Sequence, residues 1–266
     1  MTSTTVIHEG RETGYHLETG GGEGGTILCV HGPGATRRVW DRQRTLSDVR
    51  PIAFLDLSGR ESSTDINAAV GWETLSAYTS DVAAVARSID ASVLVGHSLG
   101  ALVSIHAITS RNVPVTGLVA IGAGIRLPIA EHMLSMTASD RDAFLDYLLE
   151  PGRLVCDPKP AVANRVKADV RACPSHVIER DYHTCQRVDA QADVRELDPP
   201  ILVMCGEHDK MTPPEACANL AREAPQGRFT SVKQAAHVPM MERPVAVNDI
   251  LRAFLADPQA YVTATS

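Results

Sequence analysis

Five short runs of apolar, largely β-branched residues recur along the chain: Thr26–Val30, Ile52–Leu55, Ser92–Val95, Gly117–Ile121 and Ile201–Met204. None alternates polar with apolar, so each is expected to be buried on both faces, as parallel strands are. Helical patterns separate them. Trp72–Ile89 repeats apolar residues near every third and fourth position (Leu75, Tyr78, Val82, Val85, Ala86, Ile89), and Leu99–Thr109 follows suit. Pro214–Ala224 reads as a helix with Thr212 as its cap, and Val245–Leu255 as one with Val247, Ile250, Leu251 and Phe254 on a stripe. Strand alternating with helix predicts an α/β chain built on a mostly parallel, doubly wound sheet. Thr4–His8 and Gly14–Glu18 are expected to open it, and Phe229–Val232 to close it.

The alternation breaks once. From Pro128 to Glu196 no strand pattern occurs, only helical stretches interrupted at Pro151, Pro158, Pro160 and Pro174. This predicts a core formed by residues 1–127 and 197–266, with 128–196 inserted as a helical cap. The run Gly20–Gly25 lacks the Lys-Ser/Thr that ends a phosphate-binding loop and is read as a turn.

Composition excludes several classes of function. A net charge of −7 without any Lys/Arg cluster argues against nucleic acid and for a small-molecule substrate. No apolar run approaches the roughly 20 residues of a membrane span, and Met1–Gly10 is too polar for a secretion signal. The six cysteines show no CxxC or zinc-ligand spacing, so no metal or other cofactor is expected, and free thiols in a reducing cytoplasm are.

The chemistry centres on Gly96-His97-Ser98-Leu99-Gly100, between the run Ser92–Val95 and the helical Leu99–Thr109. In that context G-x-S-x-G is a nucleophile elbow: the chain turns so sharply that only glycines fit two residues to either side, and the serine hydroxyl is presented above the sheet. A serine needs a base, and the base an orienting acid. Of the ten histidines, His237 alone lies in a loop after the last expected strand and before the last helix. His97 adjoins the serine, where its side chain is expected to point elsewhere; His106 lies in a helix, His132, His176 and His183 in the cap, and His208 beside the acid. Asp209, in the loop after Ile201–Cys205, completes the order Ser98, Asp209, His237. Val119–Pro128 offers no carboxylate, which leaves Glu207 as the competing acid. An oxyanion formed at Ser98 requires two N–H donors. Leu99, directly after the nucleophile, is one, and the loop His31–Thr36 is expected to supply the other.

With these residues placed, the chain resembles the α/β-hydrolase superfamily along nearly its whole length. The resemblance rests on His31-Gly32 near Trp40, Asp56-Leu57-Ser58-Gly59-Arg60, Gly96–Gly100, Gly206–Asp209 with Thr212-Pro213, and Ala236-His237 before Glu242-Arg243-Pro244. It is similar to the small-cap branch of esterases, enol-lactonases and C–C bond hydrolases that work without cofactors, and a serine rather than an aspartate at the elbow sets it apart from epoxide hydrolases and haloalkane dehalogenases. The resemblance implies hydrolysis of a small carboxylic ester through an acyl-enzyme at Ser98, with C–C cleavage or weakened acyl transfer as alternatives. Two positions depart from the pattern. The residue after His31-Gly32 would give the second oxyanion N–H, but Pro33 has none; Gly34 is the nearest replacement, expected to turn its N–H toward Ser98. Within Asp56–Ser63 a customary glycine is missing, and Arg60 with Glu61 is expected to form a solvated charge pair at the pocket mouth.

Overall fold

The computed structural model describes residues 4–22, 24–157 and 159–264, leaving Glu23 of the glycine run and Pro158 of the expected cap outside the described residues. Eight strands form one sheet: β1 (Thr4–His8), β2 (Arg11–Glu18), β3 (Thr26–Val30), β4 (Ile52–Leu55), β5 (Ala91–His97), β6 (Gly117–Ile121), β7 (Ile201–Gly206) and β8 (Gly227–Val232). Their order is β1-β2-β4-β3-β5-β6-β7-β8. β2 runs antiparallel to β1 and β4, and every later pairing is parallel.

Because side chains alternate along a strand, each apolar run feeds two layers. Leu28, Val30, Leu94, Leu118 and Val203 join a cluster with α1 (Trp72–Ser88), α2 (Leu99–Arg111) and, later in the chain, α8 (Pro214–Glu223). Ile27, Cys29, Val95, Ile121 and Met204 point the other way, to Trp40 and to α10 (Pro244–Ala256), which follows the short α9 (Pro239–Glu242) and precedes α11 (Pro258–Thr263). Sheet and helices bury both faces, so the continuous hydrophobicity of these strands has its cause in the architecture.

Between β6 and β7 the chain forms α3 (Glu131–Ser139), α4 (Arg141–Leu148), α5 (Pro160–Ala172), α6 (Ser175–Arg187) and α7 (Gln191–Arg195). Among the described residues it adds no strand, only the isolated bridge Arg126–Asp189. This segment carries its own apolar cluster, with Met133, Phe144, Leu145, Val170, Ile178 and Tyr182. Prolines set its joints: Pro160 opens α5 and Pro174 caps α6.

Candidate active site

Ser98 sits between the end of β5 and the start of α2, at φ 52° and ψ −120°. A non-glycine residue there is strained, and its surroundings hold it in place. The Ser98 N–H donates to Ile121 O at 2.8 Å. A Cβ on Gly96 would stand 2.5 Å from Ala101 Cα, and one on Gly100 would stand 2.4 Å from the carbonyl oxygens of Val30 and His31. Both glycines of the motif are therefore required by the tightness of the turn.

His237 and Asp209 come from adjoining loops at the same end of the sheet. Gly206 permits their approach, since a Cβ there would lie 2.2 Å from Ala236 O. The backbone locks them further: Glu207 N donates to Val232 O at 2.9 Å and His208 N to Ala235 O at 3.0 Å. Asp209 Oδ1 accepts from Met211 N (2.9 Å) and Thr212 N (2.8 Å), while Oδ2 accepts from His237 Nδ1 at 2.9 Å. With Nδ1 donating, Nε2 carries the lone pair that a general base uses. Glu207 Oε2 instead accepts from Gln234 N and is half exposed, so it does not reach the histidine. Thr212 serves this loop through its backbone N–H rather than capping α8, whose cap is Pro213.

Ser98 and His237 line one small cavity of about 30 Å³, together with His97, Pro33, Thr212 and, from the helical segment, Tyr182. His97 does not point away from the site. Its Nε2 donates to His237 O at 2.9 Å, and the two rings lie 4.8 Å apart. Burial, with His237 nearby, drives its pKa down to about 3, so His97 is a neutral brace for the His237 loop. His31 does similar work below the oxyanion loop. Its Nδ1 donates to Gly32 O at 2.9 Å while Nε2 accepts from Leu57 N at 3.2 Å, and burial followed by the Arg60 charge keeps it neutral.

The oxyanion side departs from expectation. Leu99, the first residue of α2, keeps an N–H without an intrahelical acceptor. The Gly34 N–H donates to Asp181 Oδ2 at 3.2 Å. Asp181 lies on α6, fully buried, and the same oxygen takes a charge-assisted bond from Arg60. Its Oδ1 accepts from Tyr78 at 2.7 Å. The expectation that Gly34 N–H faces Ser98 is thus corrected, because a buried anion claims it. Arg60 is corrected as well. It is buried rather than solvated, donating also to Ala35 O (3.1 Å) and Ser58 O (2.9 Å), while Glu61 pairs with Arg38. Burial opposes the Arg60 charge, but Asp181 and Tyr78 outweigh it and leave the guanidinium firmly protonated.

Asp181 is the residue that sequence reasoning missed. Its signal was present: Val177, Ile178 and Cys185 stand three and four positions away, so the aspartate falls on the apolar stripe of its helix, where a charge demands a partner. No group of three or more His, Cys, Asp or Glu side chains able to hold a metal occurs among the described residues. Nor is any described helix long and apolar enough to cross a membrane.

The chain is similar to several known hydrolases. Pimeloyl-[acyl-carrier protein] methyl ester esterase of Neisseria meningitidis serogroup C is 25% identical over 250 residues, covering 86% of this chain and 93% of that protein. (E)-2-((N-methylformamido)methylene)succinate hydrolase of Acinetobacter baylyi is 23% identical, covering 96% and 98%. The solved enol-lactonase from Burkholderia xenovorans superposes with a TM-score of 0.85 at 18% identity, covering 96% of this chain and all (100%) of that one. A thermophilic esterase from Thermogutta terrifontis gives 0.82 at 23% identity, covering 96% and 98%. The profile of the alpha/beta hydrolase family matches residues 27–250, and the chain belongs to that family.

Proposed function

We propose that this protein hydrolyses a small carboxylic ester through an acyl-enzyme at Ser98. The observation that carries this reading is His237, held by Asp209 through Nδ1 while sharing the Ser98 cavity. Ser98 Oγ attacks the ester carbonyl carbon as His237 Nε2 takes its proton. The tetrahedral oxyanion collapses, the C–O bond to the alcohol breaks, and the imidazolium returns the proton to the leaving oxygen. Water then attacks the acyl-enzyme by the same route and releases the acid. Relatives named as a methyl ester esterase and an enol-lactonase support this chemistry. Five buried cysteines and a sixth half-buried one, all free thiols, fit work on a soluble small molecule in a reducing cytoplasm.

A fluorophosphonate probe tests the assignment. It is expected to label Ser98 covalently, with Ser98→Ala unlabelled and inactive on a p-nitrophenyl ester panel. Label on another serine of the folded protein, or none, defeats the reading. A second reading has an observation in its favour. Pro33 lacks an N–H and the Gly34 N–H is given to Asp181, so only the Leu99 side of the oxyanion hole stands ready. A C–C bond hydrolase that protonates a bound carbanion depends less on that hole. Turnover of a vinylogous diketone with none of simple esters would favour it.

A further inference from the structure

Beside the Ser98 cavity lies a second one, of about 40 Å³, which shares Pro33, His97, Leu154 and Tyr182 with it. Its remaining lining is almost wholly apolar, including Leu148, Val166, Val170 and Val238, with one exception: Asp169 of α5. That carboxylate is 5% exposed, and its Oδ2 has no hydrogen-bond partner among the described residues. The other oxygen is weakly served, accepting from Thr36 Oγ1 at 3.4 Å with Arg165 at 4.0 Å. Arg165 makes its shorter contact with Asp41, at 3.3 Å. Burial pushes the Asp169 pKa up to about 6, against the pull of Arg165 and Arg38. A buried acceptor oxygen without a donor is costly, and folded chains rarely leave one without a reason.

We propose that Asp169 is a specificity-determining residue, and that the preferred substrate is an ester whose acyl chain crosses the apolar cavity and ends in a hydroxyl donating to Asp169 Oδ2. This rests on the ester-hydrolase reading above and supplies its substrate class. The walls select the methylene part, because they offer dispersion contacts and no polar atoms. The carboxylate selects the end group, because a chain ending in methyl leaves Oδ2 unpaired. A neutral hydroxyl fits better than an ammonium: the positive charges of Arg165 and Arg38 already act on Asp169, so a further cation would meet them around the same carboxylate. Asp169 touches no reacting atom in this scheme and sets preference, not rate of chemistry.

The test pairs p-nitrophenyl esters of straight-chain acids, from propanoate to octanoate, with their ω-hydroxy counterparts. Wild type is expected to favour the hydroxylated member at one chain length by about 10- to 150-fold in kcat/KM, the range for a hydrogen bond to a charged group. Asp169→Leu should erase that preference, bringing kcat/KM for the hydroxylated and plain members of each pair together. Asp169→Asn, the milder change, should retain part of it through the amide oxygen. An enzyme that hydrolyses the plain esters without hydroxyl preference at any length overturns the proposal, as does a preference that survives Asp169→Leu. If no ester is turned over, the ester-hydrolase reading fails on its own. Calorimetry with Ser98→Ala then still decides the pocket: hydroxyl-dependent binding of the free ω-hydroxy acids, lost on adding Asp169→Leu, supports it, and equal binding of plain and hydroxy acids refutes it.

Discussion

The two sides of the Ser98 site are built in different ways. On the base side, Asp209 and His237 stand on loops that leave β7 and β8 directly, and nearly every polar atom there has a backbone partner close at hand in sequence or sheet. On the oxyanion side, the loop after β3 is held from above. Gly34 N–H and Ala35 O are both tied to the buried Arg60–Asp181 pair, whose aspartate belongs to α6. One side is fixed by the sheet, and the other takes its shape from the helical segment. The sheet-fixed half is therefore expected to tolerate changes in that segment, while the loop half should respond to them.

The largest effect is expected on the base side. Asp209→Asn keeps an acceptor for Met211 and Thr212 yet favours the wrong imidazole tautomer, so kcat should fall on the order of 10⁴-fold with little loss of stability. Glu207→Gln should change kcat less than about threefold, since its carboxylate meets Gln234 and not His237. Steady-state kinetics on one p-nitrophenyl ester decides between them. If Glu207→Gln is the crippling change, Glu207 rather than Asp209 is the acid and the base side is not a self-contained unit.

Next in size is the link to the helical segment. Asp181→Asn removes the charge that balances Arg60 in a site where both are fully buried. Removing one partner of such a pair costs about 3–5 kcal/mol, because the other is left uncompensated. At roughly 2–4 °C per kcal/mol for a chain near this size, the melting temperature should drop by about 6–20 °C. Replacing both, with Arg60→Met and Asp181→Leu, should restore most of it. Calorimetric melting of the three proteins tests this, and a single variant that melts with wild type would show that the loop is not held from α6.

Legibility from sequence followed the same division. Strand runs such as Thr26–Val30, Ile52–Leu55 and Gly117–Ile121 match their elements residue for residue, because burial on both faces writes an unbroken apolar string. Ser98, Asp209 and His237 stood out as candidates because each follows a strand within a few residues. Gly34 was misread for a physical reason. Its N–H is set by a residue 147 positions away, on a helix whose docking no local pattern encodes. Arg60 and Glu61 looked like a surface pair for the same reason, since the anion that buries Arg60 lies in the distant α6. Asp169 and Asp181 share a pattern that was visible: an acidic residue on the apolar stripe of a helix, Asp169 beside Val166, Val170 and Cys173.

The smallest expected effect, and the one that separates the two sides most directly, comes from Pro33. It lines both cavities next to Ser98 but offers no N–H. The donor that follows it is held by Asp181. Pro33→Ala places an N–H in the loop one residue earlier, where it does not compete for that carboxylate. Loss of one oxyanion donor costs about 10²–10³ in kcat in serine hydrolases, which sets the ceiling for gaining one. A donor not evolved for its place should recover less, about tenfold. The gain should fall on kcat with KM nearly unchanged, because the oxyanion exists only beyond the ground state. Stability should drop by about 0.4–1 kcal/mol as the unfolded chain regains freedom at residue 33. A flat kcat would mean that substrate binding draws the Gly34 N–H away from Asp181 and completes the hole. In that case Asp181→Leu, assayed in the Arg60→Met background to keep the fold, should raise kcat where Pro33→Ala did not. The oxyanion side would then be a conformational partner of α6 rather than an incomplete copy of the base side.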